Sequence, residues 1–188
     1  MTRIIGGVAG SRTLVSPAKA TRPTSDRIRE SVFSRLDALN LIEDSKVLDL
    51  YAGTGALGLE AASRGATRVV FVENNKQALG GIIQNFRMVK QALQKENLDC
   101  DFQAIGKTVQ SFLGNQDESF DLVFIDPPYE IANDQVTDVL ELLMPYLEAN
   151  ATVVLERSSR DSQPNIPEQL SLTETKSYGD TVIYWLNN

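Results

Sequence analysis

The chain has 188 residues, 42% of them apolar, and a formal net charge of −7, a composition that suits one soluble domain of ordinary core size. It has no histidine and one cysteine, Cys100. That excludes Ser-His-Asp and Cys-His nucleophilic catalysis and a disulfide framework, and it leaves no His/Cys ligand set for zinc; no metal is expected. No apolar run reaches the roughly 20 residues of a membrane span, and the N-terminus has no signal-peptide core, so a cytoplasmic protein with no membrane partner is expected.

The net charge hides an asymmetry. Residues 1–40 carry +4 and the rest carries −11, a basic arm on an acidic body that suits a polyanion partner. In chain order, "RIIG" and "RTLV" around "GVAGS" read as a hairpin. "TSDRIRESVFSRLDAL" then has apolar residues at helical spacing, with Thr24 as a candidate N-cap. These residues are too few for a core of their own.

From Lys46 the pattern changes to strands alternating with helices. "KVLDLY", "RVVFVE", "CDFQAI", "FDLVFI" and "ATVVLE" are strands. "GALGLEAASRG", "NKQALGGIIQNFRMVKQALQ", "KTVQSFL" and "NDQVTDVLELLMPYL" are the helices between them, and "LSLTETKSYGDTVIYWL" folds back as two strands around Gly179. Alternation of this kind predicts an α/β fold with right-handed βαβ crossovers. The expected fold is Rossmann-like, a seven-stranded, mostly parallel sheet with helices on both faces, plus the N-terminal hairpin and helix. The expected organisation is one domain over 1–188, with 1–40 as an extension of a 41–188 core.

Between the first strand and its helix lies Gly53-Thr54-Gly55-Ala56-Leu57-Gly58. This is GxGxxG in a strand–turn–helix context, where the backbone approaches a ligand closely. Glu73 ends the second strand, where a carboxylate can accept from ribose hydroxyls. Both features also fit a dinucleotide. Asp49 favours a different ligand, because it would repel a pyrophosphate yet suits the sulfonium and amino groups of S-adenosylmethionine. At the end of the fourth strand, Asp126-Pro127-Pro128-Tyr129 supplies what methylation of an exocyclic amino group requires. The Asp126 carboxylate and the Pro127 carbonyl form an acceptor pair for the two N–H groups. Two prolines fix the turn, and Tyr129 offers a flat face for a base.

These residues resemble the class I S-adenosylmethionine-dependent methyltransferases that act on amino groups. With "RIIGG", "TRPTSDRIRESVF", "LDLYAGTGALGLEAASRGA", "VFIDPPY" and "KSYGDT", the chain resembles the RsmD family from Arg3 to about Tyr184. The resemblance implies an enzyme that methylates guanine N2 in 16S rRNA within an assembled or assembling 30S subunit; a monomer is expected. It implies cofactor contacts from Asp49, Gly53, Gly55, Glu73 and Asp126, with Ala52 and Asn74 beside them. Asp126, Pro127 and Tyr129 would hold the guanine. Arg3, Arg12, Arg22, Thr24 and Arg27 would meet RNA. The segment after the third strand lacks the acid that many relatives place there, so Thr108 or a backbone carbonyl is expected to meet the adenine. Amino-methyltransferases of DNA use the same Asp-Pro-Pro-Tyr but usually carry a further domain. Glutamine methyltransferases generally have Asn at the position of Asp126. A non-catalytic assembly factor on this fold is disfavoured by the intact loop and Asp126, and a dehydrogenase by Asp49.

Overall fold

The computed structural model describes residues 2–16 and 25–188. The parallel strands are β1 (Lys46–Leu50), β2 (Arg68–Val72), β3 (Asp101–Ile105), β4 (Phe120–Ile125) and β5 (Leu147–Ser158), and β6 (Ser171–Tyr178) and β7 (Thr181–Asn187) follow them. The sheet order is β3-β2-β1-β4-β5-β7-β6, with β7 antiparallel to both of its neighbours. The expected seven-stranded, mostly parallel sheet is therefore present. Runs such as Val47-Leu48-Asp49-Leu50 are buried throughout, as strands covered on both faces must be.

Five helices cover the sheet: α1 (Asp26–Ala38), α2 (Ala56–Ser63), α3 (Lys76–Lys95), α4 (Val109–Leu113) and α5 (Asn133–Leu143). One apolar cluster lies on the side of α1, α2 and α3, and a second on the side of α4 and α5. On the first side Phe33 of α1 meets Phe124 of β4 with ring centroids 5.6 Å apart. Each such fully buried ring is worth about 1.5–3 kcal/mol. Ser25 caps α1, accepting from the Ile28 N–H at 3.3 Å; Thr24, the expected cap, lies outside the described residues. The paired glycines Gly80 and Gly81 do not interrupt α3. A Cβ on Gly81 would meet the Val15 carbonyl oxygen at 3.7 Å, an ordinary contact, so the N-terminal segment passes close to α3 here.

The expected N-terminal hairpin is present in reduced form. One antiparallel bridge joins Arg3 and Thr13, and Ile4, Ser11 and Leu14 N–H groups donate across it at 2.8–2.9 Å. Its turn is shaped by α2 more than by its own strands. The buried Glu60 carboxylate accepts the Ile5 and Gly6 N–H groups at 2.6 and 2.8 Å. Ser63 accepts from the Ala9 N–H through its hydroxyl and from the Val8 N–H through its carbonyl, both at 2.8 Å. The last carbonyls of a helix lack intrahelical partners, and here the hairpin supplies one.

Gly7 makes this approach possible. Its φ is +69°, and a Cβ there would fall 1.9 Å from the Ser63 carbonyl oxygen. Gly7→Ala is expected to destabilise the fold by about 2 kcal/mol or more, from backbone strain and forced separation together. Urea unfolding monitored by circular dichroism checks this: the midpoint should fall, and an unchanged midpoint would refute tight docking of the turn.

Candidate active site

The order β3-β2-β1-β4-β5 reverses direction between β1 and β4, and in open α/β sheets ligands bind at that switch, beyond the carboxyl ends of the strands. The glycine loop (after β1), Glu73 (after β2) and Asp126 (after β4) all stand at this edge. The residues singled out in the sequence for cofactor and base chemistry are thus gathered by topology.

The loop is held from beneath. Asp49 is 1% exposed, and its Oδ2 accepts the Gly58 N–H at 2.9 Å. This ties β1 to the first turn of α2. Burial pushes the Asp49 carboxyl well above its ordinary range against the opposing pull of the Gly58 bond, and the nearby Asp126 and Glu73 charges push it further. A cation bound over the loop would relieve part of that cost. Gly53 and Gly55 have φ of +54° and +75°. Gly58 needs its missing side chain for another reason: a Cβ would lie 2.5 Å from Phe71 and 2.7 Å from Val69. Ala52 donates to the Val72 carbonyl at 3.1 Å and accepts the Gly55 N–H at 2.7 Å, closing the turn on itself.

Glu73 accepts the Gly53 N–H on one oxygen at 2.9 Å and the Asn75 N–H on the other at 2.7 Å. Each carboxylate oxygen keeps a second lone pair, so the group is oriented and still able to accept from a ligand hydroxyl. Asn74 is exposed, and the adjacent Asn75 caps α3. Thr108 is exposed and caps α4, accepting the Ser111 N–H at 3.3 Å; its side chain thus has a structural task at the edge where an adenine partner was expected.

Asp126 ends β4 with its N–H toward the Leu50 carbonyl at 3.5 Å. Pro127 is buried, while Tyr129 is 50% exposed, as a stacking face requires. The Pro128 carbonyl accepts the Ile131 N–H at 3.0 Å. The loop is then anchored by Arg157 at the end of β5. That buried guanidinium donates to the Ile131 carbonyl, Asn133 Oδ1 and Asp161 Oδ2 at 2.9, 3.1 and 2.9 Å.

The basic arm is less open than its count suggests. Arg3 pairs with Asp26 at 3.3 Å, and Arg12 donates to the Val8 carbonyl at 3.3 Å. Arg27 is exposed and makes no ion pair among the described residues. Arg35 pairs with Glu174 and lies 4.8 Å over the Trp185 ring. Arg29 is buried. Arg22 and Thr24 lie outside the described residues.

Some site residues escaped the sequence reading. Asn85, buried on α3, donates to the Thr54 carbonyl and the Val15 carbonyl at 3.0 Å each and accepts the Val15 N–H at 2.8 Å. It fastens the N-terminal segment to the glycine loop. Its signal was a polar residue on the apolar stripe between Ile82 and Val89. Glu60 and Arg157 give the same signal, as charges within buried segments.

A family profile described as conserved hypothetical protein 95 matches residues 2–187. Ribosomal RNA small subunit methyltransferase D of Escherichia coli K12 is 31% identical over 180 residues, covering 94% of this chain and 85% of the relative. The chain belongs to the RsmD family. The protein of the same name from Haemophilus influenzae is also 31% identical, covering 94% of this chain and 89% of its own. The solved structure of yhhF from Escherichia coli superposes with a TM-score of 0.85 at 28% identity, covering 100% and 97% of the two chains. That of Thermus protein TTHA0928 gives 0.75 at 30% identity, covering 98% of each. The fold is that of the class I methyltransferases, and the RsmD chain is a methyltransferase. No helix among the described residues is long and apolar enough to cross a membrane.

The Asp49 environment predicts a pH-dependent stability difference. Its carboxyl is raised in the fold above 3.8 in the unfolded chain. The stability this group provides is therefore full at low pH and is lost as pH climbs from about 3.8 through the raised folded value. Asp49→Asn keeps an acceptor for Gly58 but has no charge to desolvate. Its urea midpoint relative to wild type should rise between pH 4 and pH 8; a constant or falling difference would contradict the buried-charge reading.

Proposed function

We propose that this RsmD-family protein methylates the N2 amino group of a guanine in small-subunit 16S rRNA, with S-adenosylmethionine as methyl donor. The observation that carries the reading is the Asp126-Pro127 acceptor pair at the end of β4, beside the glycine loop at the end of the adjacent β1. Relatives named as small-subunit rRNA methyltransferases support the substrate. A single domain acting as a cytoplasmic monomer on a 30S particle is part of the same proposal.

The site's chemistry fits that cofactor. Glu73 is oriented with acceptor capacity for ribose hydroxyls. The acidic side chains Asp49, Glu73 and Asp126 gather at this edge of the sheet, a setting that suits a sulfonium and opposes a pyrophosphate. Ala52 and Asn74 flank the seat, and Thr108 stands where the adenine is expected. When bound, S-adenosylmethionine supplies a methyl group activated by its sulfonium.

The protein's own part is positioning and charge. The guanine amino lone pair is delocalised into the ring. Hydrogen bonds from its two N–H groups to Asp126 and the Pro127 carbonyl favour a more pyramidal nitrogen and free that pair. Asp126 can take the proton the nitrogen gives up. Tyr129 stacks the extruded base, worth about 1–3 kcal/mol, which offsets much of the few kcal/mol that flipping costs. Arg3, Arg12 and Arg27, with Arg22 and Thr24, are the proposed RNA contacts, and Arg27 is the most available of those described.

The test is to incubate the protein with unmethylated 30S particles and labelled cofactor, then map modified 16S nucleotides by mass spectrometry. One N2-methylguanine is expected. Asp126→Ala should lower its formation about 100-fold or more, the cost of losing one transition-state hydrogen-bonding group, while binding of S-adenosylhomocysteine persists. Label in another base, in DNA or in protein, or full activity of Asp126→Ala, would refute the proposal.

A further inference from the structure

The parallel register pairs Phe124 with Val154 and Ile125 with Leu155. Asp126 and Glu156 are therefore the next residues across from each other. By strand alternation both side chains take the face covered by α1. Neighbouring strands are about 4.8 Å apart, so two carboxylates stand side by side at the edge where the base must enter. Arg29 of α1 lines the same crevice with them, along with Val32, Leu57 and Phe124.

Arg29 is 1% exposed. Its Nη2 donates to the Arg3 carbonyl at 2.8 Å and to Asp26 Oδ1 at 2.7 Å. Its Nε and Nη1 are buried and have no hydrogen-bond partner among the described residues. One end of the guanidinium is thus fixed while two donor nitrogens, with three N–H groups, remain unused. Buried donors left unsatisfied are costly and uncommon in native proteins, and at a ligand crevice the natural partner is the ligand. The cavity itself is about 10 Å³, room for one water at most. For a base edge to fit, α1 must part from the ends of β4 and β5. Asp126 and Glu156 are already engaged within the protein, so entry exchanges partners.

We propose that this crevice reads the Watson–Crick edge of the target guanine, with Arg29 donating to O6, Glu156 accepting from N1–H, and Asp126 with the Pro127 carbonyl accepting from the N2 amino group. The inference rests on the guanine-N2 reading above and names what selects that base. Guanine presents acceptor, donor, donor along this edge, the complement of arginine, carboxylate, carboxylate. Adenine or cytosine, with its amino group on Asp126, turns a ring-nitrogen lone pair toward the Glu156 carboxylate, and two acceptors meet. Glu156 is then the specificity-determining residue that separates this site from other Asp-Pro-Pro-Tyr sites, and rejection comes from repulsion as much as from lost bonds.

The test uses 30S particles reconstituted with 16S rRNA that carries, at the target, either guanine or 2-aminopurine. The analogue keeps the N2 amino group but lacks O6, and its N1 is an acceptor. Wild type should prefer guanine by about 100-fold or more in kcat/KM, as sites built on polar complementarity do. Glu156→Gln keeps the side-chain shape and can donate to N1 of the analogue, so the preference should shrink at least about tenfold, with S-adenosylhomocysteine affinity retained as the control for folding. Arg29→Lys should retain part of the O6 contribution and shift the ratio less. If wild type makes N2-methylguanine but Glu156→Gln keeps the wild-type preference, or loses both substrates equally, this inference falls alone. If wild type makes no N2-methylguanine, the guanine-N2 reading falls and takes this inference with it.

Discussion

A buried carboxylate beneath a glycine turn is the constraint on which the other parts depend. Asp49 accepts the Gly58 N–H from inside the protein and so fixes where α2 leaves the sheet. A charged group there is unfavourable for the ligand-free fold, and burial shows it in the raised Asp49 pKa. An apolar residue would leave the Gly58 N–H unsatisfied, whereas a neutral amide could accept it with no charge to desolvate, so a carboxylate here suits a site that uses negative potential. Stability and ligand chemistry are opposed at one atom, as they often are at functional sites.

The described hairpin N-terminal to β1 is referred to that helix. Glu60 and Ser63 hold the hairpin turn on α2, and Asn85 ties Val15 to Thr54 of the loop. Arg3 and Asp26 then connect the hairpin to α1, whose Phe33 packs on Phe124 two residues before Asp126. The hairpin thus braces α1, whose Arg29 and Val32 line the crevice. The appended segment brings the buried Arg29 to the crevice at the ends of β4 and β5.

The α/β order was legible because strand and helix periods differ and the breaks are marked by Gly and Asn. The glycine loop, Glu73 and Asp-Pro-Pro-Tyr were legible because their chemistry is local: a turn, a strand end, a rigid acceptor pair. What escaped was every contact made across the fold. Glu60, Asn85, Arg157 and Arg29 look in sequence like solvated polar residues, and Arg29 had been counted with the basic arm. Each occupies an apolar stripe or a buried strand, so period alone could have flagged it as buried. No period could have told which backbone groups, tens of residues away, it would satisfy. Thr108 shows the converse limit: a hydroxyl expected at the adenine is also the cap that starts α4.

The central claim is that the glycine loop is pre-formed by its buried acid before any ligand arrives. Amide hydrogen exchange of the ligand-free protein, resolved at Gly58, tests it most directly. A hydrogen bond to a buried carboxylate that organises the fold should open only with global unfolding, so the Gly58 amide should exchange with the full unfolding free energy and gain little when S-adenosylhomocysteine is added. If Gly58 instead exchanges through a local opening far below that free energy, and becomes protected only when ligand binds, the loop is assembled by the ligand and the account is wrong.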